Sequence, residues 1–265
     1  GDGEHDKAEY LKKVLADFGF CDIKTFHAPD DRCKTKARPS VIAKVRGKSS
    51  AKTFWVMSHT DIVPPGELSM WNSDPYKVVV KDGKLFGRGV EDNQQGLVSS
   101  VFTFKAFIDE KITPEYDLGL LLVADEETGS KYGLGYLIKQ HPELFGKNDI
   151  ICVPDGGNPD GTMIEIAEKS IAWMKIRTTG KQCHGSRPEC GINAHRANAH
   201  LIVKFDALYK DFPARDELFE PPISTFEPTK KDANVPNINT IPGDDVFYMD
   251  CRVLPRYDLK NEVLP

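Results

Sequence analysis

No apolar run in this sequence approaches the ~20 residues that a membrane-spanning helix needs. There is no excess of positive charge either, with 35 Lys and Arg against 40 Asp and Glu. A net charge of −5 argues against a nucleic-acid binder and against a polybasic membrane patch. The six cysteines (Cys21, Cys33, Cys152, Cys183, Cys190, Cys251) form no CxxC pair, so they read as reduced thiols of a cytoplasmic protein rather than a metal clip. Internal repeats and low-complexity tracts are missing. The opening GDGEHDKAEY has no apolar leader, so no targeting segment is visible there. What the chain does have is ordinary: 40% hydrophobic and 28% charged residues, 21 Gly and 18 Pro in 265 positions. That balance excludes collagen, coiled coil and wholesale disorder, and suits one large domain or two smaller ones.

Tyr10, Leu11, Val14, Leu15 and Phe18 recur at helical spacing, predicting a helix over 7–18 that ends at Gly19. Residues 40–45 and 54–57 read as strands, and 78–86 as a hairpin around Asp82-Gly83. A helix over 93–108, an apolar strand over 118–123, a helix over 134–139 and a fourth buried strand over 150–153 follow. Short apolar strands alternating with helices predict an α/β fold, a mostly parallel sheet with helices on both faces. In such sheets the ligand site lies beyond the carboxyl ends of the strands. After about Lys169 the pattern changes to an alternating strand over 171–178, a helix over 193–208, strands near 223–227 and 246–253, and a helix start at Asp258. That is most of a βαββαβ, ferredoxin-like α+β unit without its last strand. The expected domains are 1–169 and 170–265.

Four polar clusters follow the apolar strands. Ser58-His59-Thr60-Asp61 places an imidazole two residues from a carboxylate able to hold its other ring nitrogen. Alone, His59 could equally be a strand-end residue satisfying its hydrogen bonds. In the loop GRGVEDNQQG (87–96), glycines let the backbone turn tightly and approach a ligand, while Asp92 or Asn93 could merely cap the next helix. Asp125-Glu126-Glu127 is either a solvated acidic loop or a set of carboxylates whose repulsion a cation absorbs. Pro154-Asp155-Gly156-Gly157, taken singly, is a turn. A parallel sheet brings such strand ends to one rim. A His with several carboxylates there is what two divalent ions, ~3.5–4 Å apart, require for hydrolysis.

These segments resemble the M20 family of metallopeptidases, which includes aminoacylase, acetylornithine deacetylase, succinyl-diaminopimelate desuccinylase and glutamate carboxypeptidase relatives. SHTDIVPPG, GRGVEDNQQG, DEETGS, PDGG, HGSRPECGINAH and NINTIPG with DCRVLP fall in the family's order over nearly the whole chain. The resemblance implies a dizinc peptidase-like catalytic domain with a lid that also dimerises the protein. It implies two divalent ions, zinc with cobalt or manganese as substitutes. His59 and Asp155 would hold one, Glu127 the other, and Asp92 would bridge them. Asp61 would orient His59, and Glu126 would be the general base. The implied reaction is hydrolysis of an amide bond in an N-acyl amino acid or small peptide with a free carboxylate. The implied partner is a second copy of the chain, with no nucleic acid and no membrane. His184 would reach across the dimer to the tetrahedral oxyanion; without the other motifs it reads as a surface His. Asn239 and Arg252 match the family's substrate-holding pair, Arg being suited to a two-pronged grip on a carboxylate. The bland reading of Arg252 is a strand-surface residue. His195 and His200 read as exposed or partner-facing rather than as ligands.

The family's second metal histidine comes from polypeptide after the lid, and nothing here fills that role. It is expected beyond Pro265, so the chain is read as truncated and inactive by itself. Two other classes compete: a non-catalytic homologue that binds or dimerises through the lid, and a single-domain dinuclear aminopeptidase. The segment from Ser170 onward, with HGSRP and NTIP, speaks against the latter.

Overall fold

A computed structural model describes residues 4–264. They form two compact units that meet in sequence between Met163 and Ile164.

In the first unit, α1 (Glu4–Asp17) buries Ala8, Leu11 and Leu15 along one stripe. Gly19, at φ 86°, ends it: its N–H donates to the Ala16 carbonyl and that of Phe20 to Leu15. Then come β1 (Cys21–Pro29), β2 (Ala37–Val45), β3 (Ser49–His59) and a small hairpin, β4 (Val79–Lys81) with β5 (Lys84–Phe86). Asp82 and Gly83 both have positive φ, as a two-residue hairpin turn of right-handed strands requires. After α2 (Gly96–Asp109) follow β6 (Tyr116–Val123), α3 (Leu134–Gln140) and β7 (Ile150–Cys152).

The five-stranded sheet has the order β1-β2-β6-β3-β7. It is the expected α/β sheet, but mixed rather than mostly parallel: β1–β2 and β2–β6 are antiparallel, β3–β6 and β3–β7 parallel. The links 30–36 and 46–48 are too short for a crossover helix, so the first three strands must alternate in direction. β6 and β3 are apolar on both faces because both are covered. Leu120, Leu122 and Val56 pack with Leu11, Leu15, Val101 and Phe104 on one face. Leu121, Val123 and Trp55 pack with Leu137 on the other. Removing each such side chain from water contributes about 1.5–3 kcal/mol. β1 is not evident in the sequence pattern. β7, expected to be buried, is an exposed edge, with Ile150 and Ile151 about half accessible.

The second unit contains β8 (Ser170–Thr179), β9 (Cys183–His184), α4 (Ala194–Phe205), α5 (Leu208–Asp211), β10 (Thr225–Lys231), β11 (Thr240–Ile241) and β12 (Asp244–Val253). The antiparallel order β10-β12-β8, with α4 between β8 and β10 in the chain, is the expected partial ferredoxin-like arrangement. Phe247, Met249, Cys251 and Val253 alternate inward along β12 against Leu201, Phe205 and Phe212 of the helical layer. None of the six cysteines forms a disulfide among the described residues. Among the described residues, no helix is long and apolar enough to cross a membrane.

Candidate metal centre

The parallel register of β3 and β6 sets His59 opposite Val123, so the two strands end together. Asp61 follows one end and Asp125–Glu127 the other, while Asp155 follows β7, which runs parallel on the far side of β3. Asp92 arrives from the loop before α2, in non-helical backbone followed by a cis peptide to Asn93. Topology alone therefore delivers four chain segments to one rim.

His59 is buried, and its Nε2 lies 2.8 Å from Asp92 Oδ1, 3.8 Å from Asp155 Oδ1 and 4.0 Å from Glu126 Oε2. Ligand-type atoms of His59, Asp92 and Asp155 all lie within 4.8 Å of one another. His59 Nδ1 is 3.1 Å from the backbone carbonyl of Asp61 and 3.5 Å from its carboxylate. The Asp61 side chain also braces the neighbouring turn, since its two oxygens accept the N–H groups of Glu126 and Glu127, at 3.0 and 3.1 Å. One residue thus faces the imidazole and fixes the turn carrying both glutamates.

Burial alone would lower the His59 pKa, but hydrogen bonds to Asp61 and Asp92 and the charge of Asp155 raise it to about 9. Burial, with Asp155, Glu127 and Asp61 nearby, pushes the Glu126 carboxyl above its ordinary value against the pull of His59. Burial and the neighbouring Asp92 do the same for Glu127. Burial works against the Asp61 carboxylate, yet His59 and the two amides hold its pKa down.

These residues fit a divalent cation. Glu127 Oε1 is buried with no hydrogen-bond partner, an expensive state for a carboxylate oxygen unless an ion takes it up. One imidazole and several carboxylates form the donor set preferred by zinc and its first-row neighbours.

Asn93, read in the sequence only as a possible cap, is buried and its side-chain amide donates to Asp155 Oδ1 and, at 3.4 Å, to the Pro154 carbonyl. The signal for it is adjacency to Asp92 in the same loop. Gly96 permits this approach, since a Cβ there would lie 2.1 Å from the Pro154 carbonyl oxygen.

In the second unit, β9 pairs with β11, setting His184 opposite Thr240. Asn239 Nδ2 is 3.5 Å from His184 Nε2, and the Gly185 N–H donates to the Asn239 carbonyl at 2.6 Å. His184 Nδ1 lies 2.8 Å from the Ser186 hydroxyl and 3.2 Å from the Ser186 N–H. Arg252 stands in another ladder, with Nε and Nη2 on the two oxygens of Asp250 at 2.6 and 3.0 Å. His195, half exposed, is not a free surface residue: Nδ1 lies 3.2 Å from the buried Asp245 carboxylate.

Residues 55–250 match the model of peptidase family M20/M25/M40. An uncharacterized metallohydrolase of Methanococcus maripaludis is 47% identical over 98% of this chain and 64% of its own length. One of Methanocaldococcus jannaschii is 43% identical, over 98% and 65%. Succinyl-diaminopimelate desuccinylase 2 of Shewanella loihica is 26% identical over 75% of this chain and 52% of its own. The chain thus spans less than two thirds of the length of these relatives. Among solved structures, an M20 family metallo-carboxypeptidase of Sulfolobus solfataricus superposes with a TM-score of 0.72 at 20% identity, covering 97% of this chain and 68% of that one. A tripeptidase of Staphylococcus aureus gives 0.64 at 18%, over 92% and 60%. At these identities the likeness is one of fold.

Proposed function

Starting from the fact that this chain belongs to peptidase family M20/M25/M40, we propose that it forms the larger part of a dinuclear amidohydrolase. Its substrate is an N-acyl amino acid or small peptide with a free carboxylate. The observation that carries this reading is the meeting of His59, Asp92 and Asp155 within 4.8 Å, with Glu126 4.0 Å from the His59 ring. Relatives named desuccinylase, carboxypeptidase and tripeptidase support the substrate class.

In this reading His59 and Asp155 would hold one metal ion and Glu127 the other, with Asp92 shared between them, zinc being the first choice and cobalt or manganese able to replace it. Such ions supply Lewis acidity, polarising an amide carbonyl and lowering the pKa of water. Glu126 takes the proton of the attacking water and passes it to the leaving amine, a shuttle suited to a carboxyl whose affinity for protons is raised. Asp61 keeps His59 oriented and the Glu126–Glu127 turn in place. His184 donates to the oxyanion from a second copy of the chain in a homodimer formed through the lid. Asn239 and Arg252 hold the substrate carboxylate, for which Arg252 exchanges Asp250. A reducing cytoplasm suits six cysteines that form no disulfide among the described residues.

The test is a panel of N-acetyl and N-succinyl amino acids and dipeptides offered to the full-length, zinc-loaded protein. Hydrolysis of at least one, lost on chelation and restored by zinc, is the expected result. No hydrolysis, or activity indifferent to chelator, contradicts the reading.

A further inference from the structure

Asp125, immediately before the two glutamates, has φ 63° and ψ 21°, in the left-handed region that among residues with a Cβ is visited mainly by Asn and Asp, whose side chains bond locally. Its side chain is almost fully buried. Oδ2 accepts the Tyr132 N–H at 2.9 Å, and Oδ1 accepts the Thr128 hydroxyl at 2.5 Å. Arg38 Nη1 comes within 3.6 Å of Oδ1. Arg38 is itself buried in β2, with the same Nη1 2.6 Å from Glu4 Oε1 and its Nε 2.8 Å from Asp30 Oδ2. Asp30 has a second cation in Arg32, whose Nη2 lies 2.8 Å away. Arg38 joins Glu4 of α1 to Asp125.

Buried ion networks of this kind seldom stabilise a fold more than apolar packing would, so their presence calls for a positional reason. Here the turn carrying Glu126 and Glu127 is fastened twice. Asp61 holds the amides of the two glutamates from the β3 side, and the Arg38 network holds the residue before them from the β2 side. A shift of either carboxylate by a fraction of an ångström would spoil both the proton shuttle and the second metal ligand. We propose that Arg38 is a positioning residue which, through Asp125, aims Glu126 and Glu127. The inference rests on the reading of those glutamates as general base and metal ligand.

The experiment compares full-length wild type with Arg38→Met, Arg38→Lys, Asp125→Asn and the Arg38→Met/Asp125→Asn double variant. Cobalt(II) is titrated in stepwise, and visible absorption is recorded beside kcat and KM for the N-acyl amino acid that wild type turns over best. Positioning predicts kcat lower by about 10- to 100-fold in Arg38→Met and Asp125→Asn, with KM within about twofold. It predicts an altered cobalt spectrum for the second equivalent but not the first. Partial rescue in Arg38→Lys and a double variant close to the worse single variant complete the pattern. Unchanged spectra and kcat with only a lower melting temperature would overturn the proposal. Should Arg38→Met fail to fold, Asp125→Asn decides by the same criteria, because Asn tolerates left-handed backbone. A wild type that takes up no metal sinks the functional reading first and the positioning role with it, whereas an active dicobalt wild type with indifferent variants sinks the positioning role alone.

Discussion

The imidazole of His59 is surrounded by carboxylates, and this sets the sign of a pH dependence. Its pKa of about 9 lies above the ordinary 6.5, so in metal-free protein its contribution to stability is complete below about pH 6.5 and is lost as pH rises through 9. The effect is on the order of 3 kcal/mol. Thermal melts of the metal-free protein from about pH 6 to about pH 9.5 should fall accordingly, and His59→Asn should flatten the profile. Metal uptake needs the neutral ring, so affinity should rise over the same interval with release of a proton. Glu126→Gln should leave metal content intact and lower kcat by about 10²- to 10⁴-fold; elemental analysis beside steady-state kinetics checks both halves. At this scale His59, Asp92 and Asp155 are legible in the sequence because each lies at or just beyond a strand end or in a Gly-rich loop before a helix. Asn93, the amide contacts of Asp61 and the link from Arg38 to Glu4 and Asp125 are not, because partners more than thirty residues apart leave no local pattern.

Among the elements, β3 and β6 carry most of the burden. Gly119 on β6 lies beside Trp55 on β3, and a Cβ there would meet the indole at 2.2 Å. Gly119→Ala should therefore destabilise the first unit by about 1–3 kcal/mol through overpacking, read as a lower denaturation midpoint with the second unit's transition unmoved. Helices α1, α2 and α3, the Asp82-Gly83 hairpin and the alternating β8 can be read from periodicity and turn chemistry. β1 cannot: in CDIKTFHAP the alternation slips at Thr25-Phe26 and only Ala28 is fully buried. β7 misleads in the other direction, since an apolar triplet looks the same whether covered or at an edge.

For the whole molecule, the stretch 154–169 contains neither helix nor strand and is mostly exposed. A glutamate-specific protease should cut first at Glu165 or Glu168, near the division between the units, as mass spectrometry of the earliest fragments would reveal; first cuts inside β3 or β12 would contradict this. That the chain has two parts is legible from its change of character near Lys169, and the mixed sheet is not, because strand direction depends on link lengths that apolar pattern does not encode. The sheet order has one more consequence. β6 lies between β2 and β3, although it is made more than fifty residues after them. A growing polypeptide on the ribosome must therefore keep a slot open between two strands it has already synthesised, and cannot form the rim of the candidate metal centre until the late strand fills it. Pulse-labelled hydrogen exchange during refolding should find the amides of all three strands gaining protection in one step; early protection of β2 and β3 alone would speak for a different order of assembly.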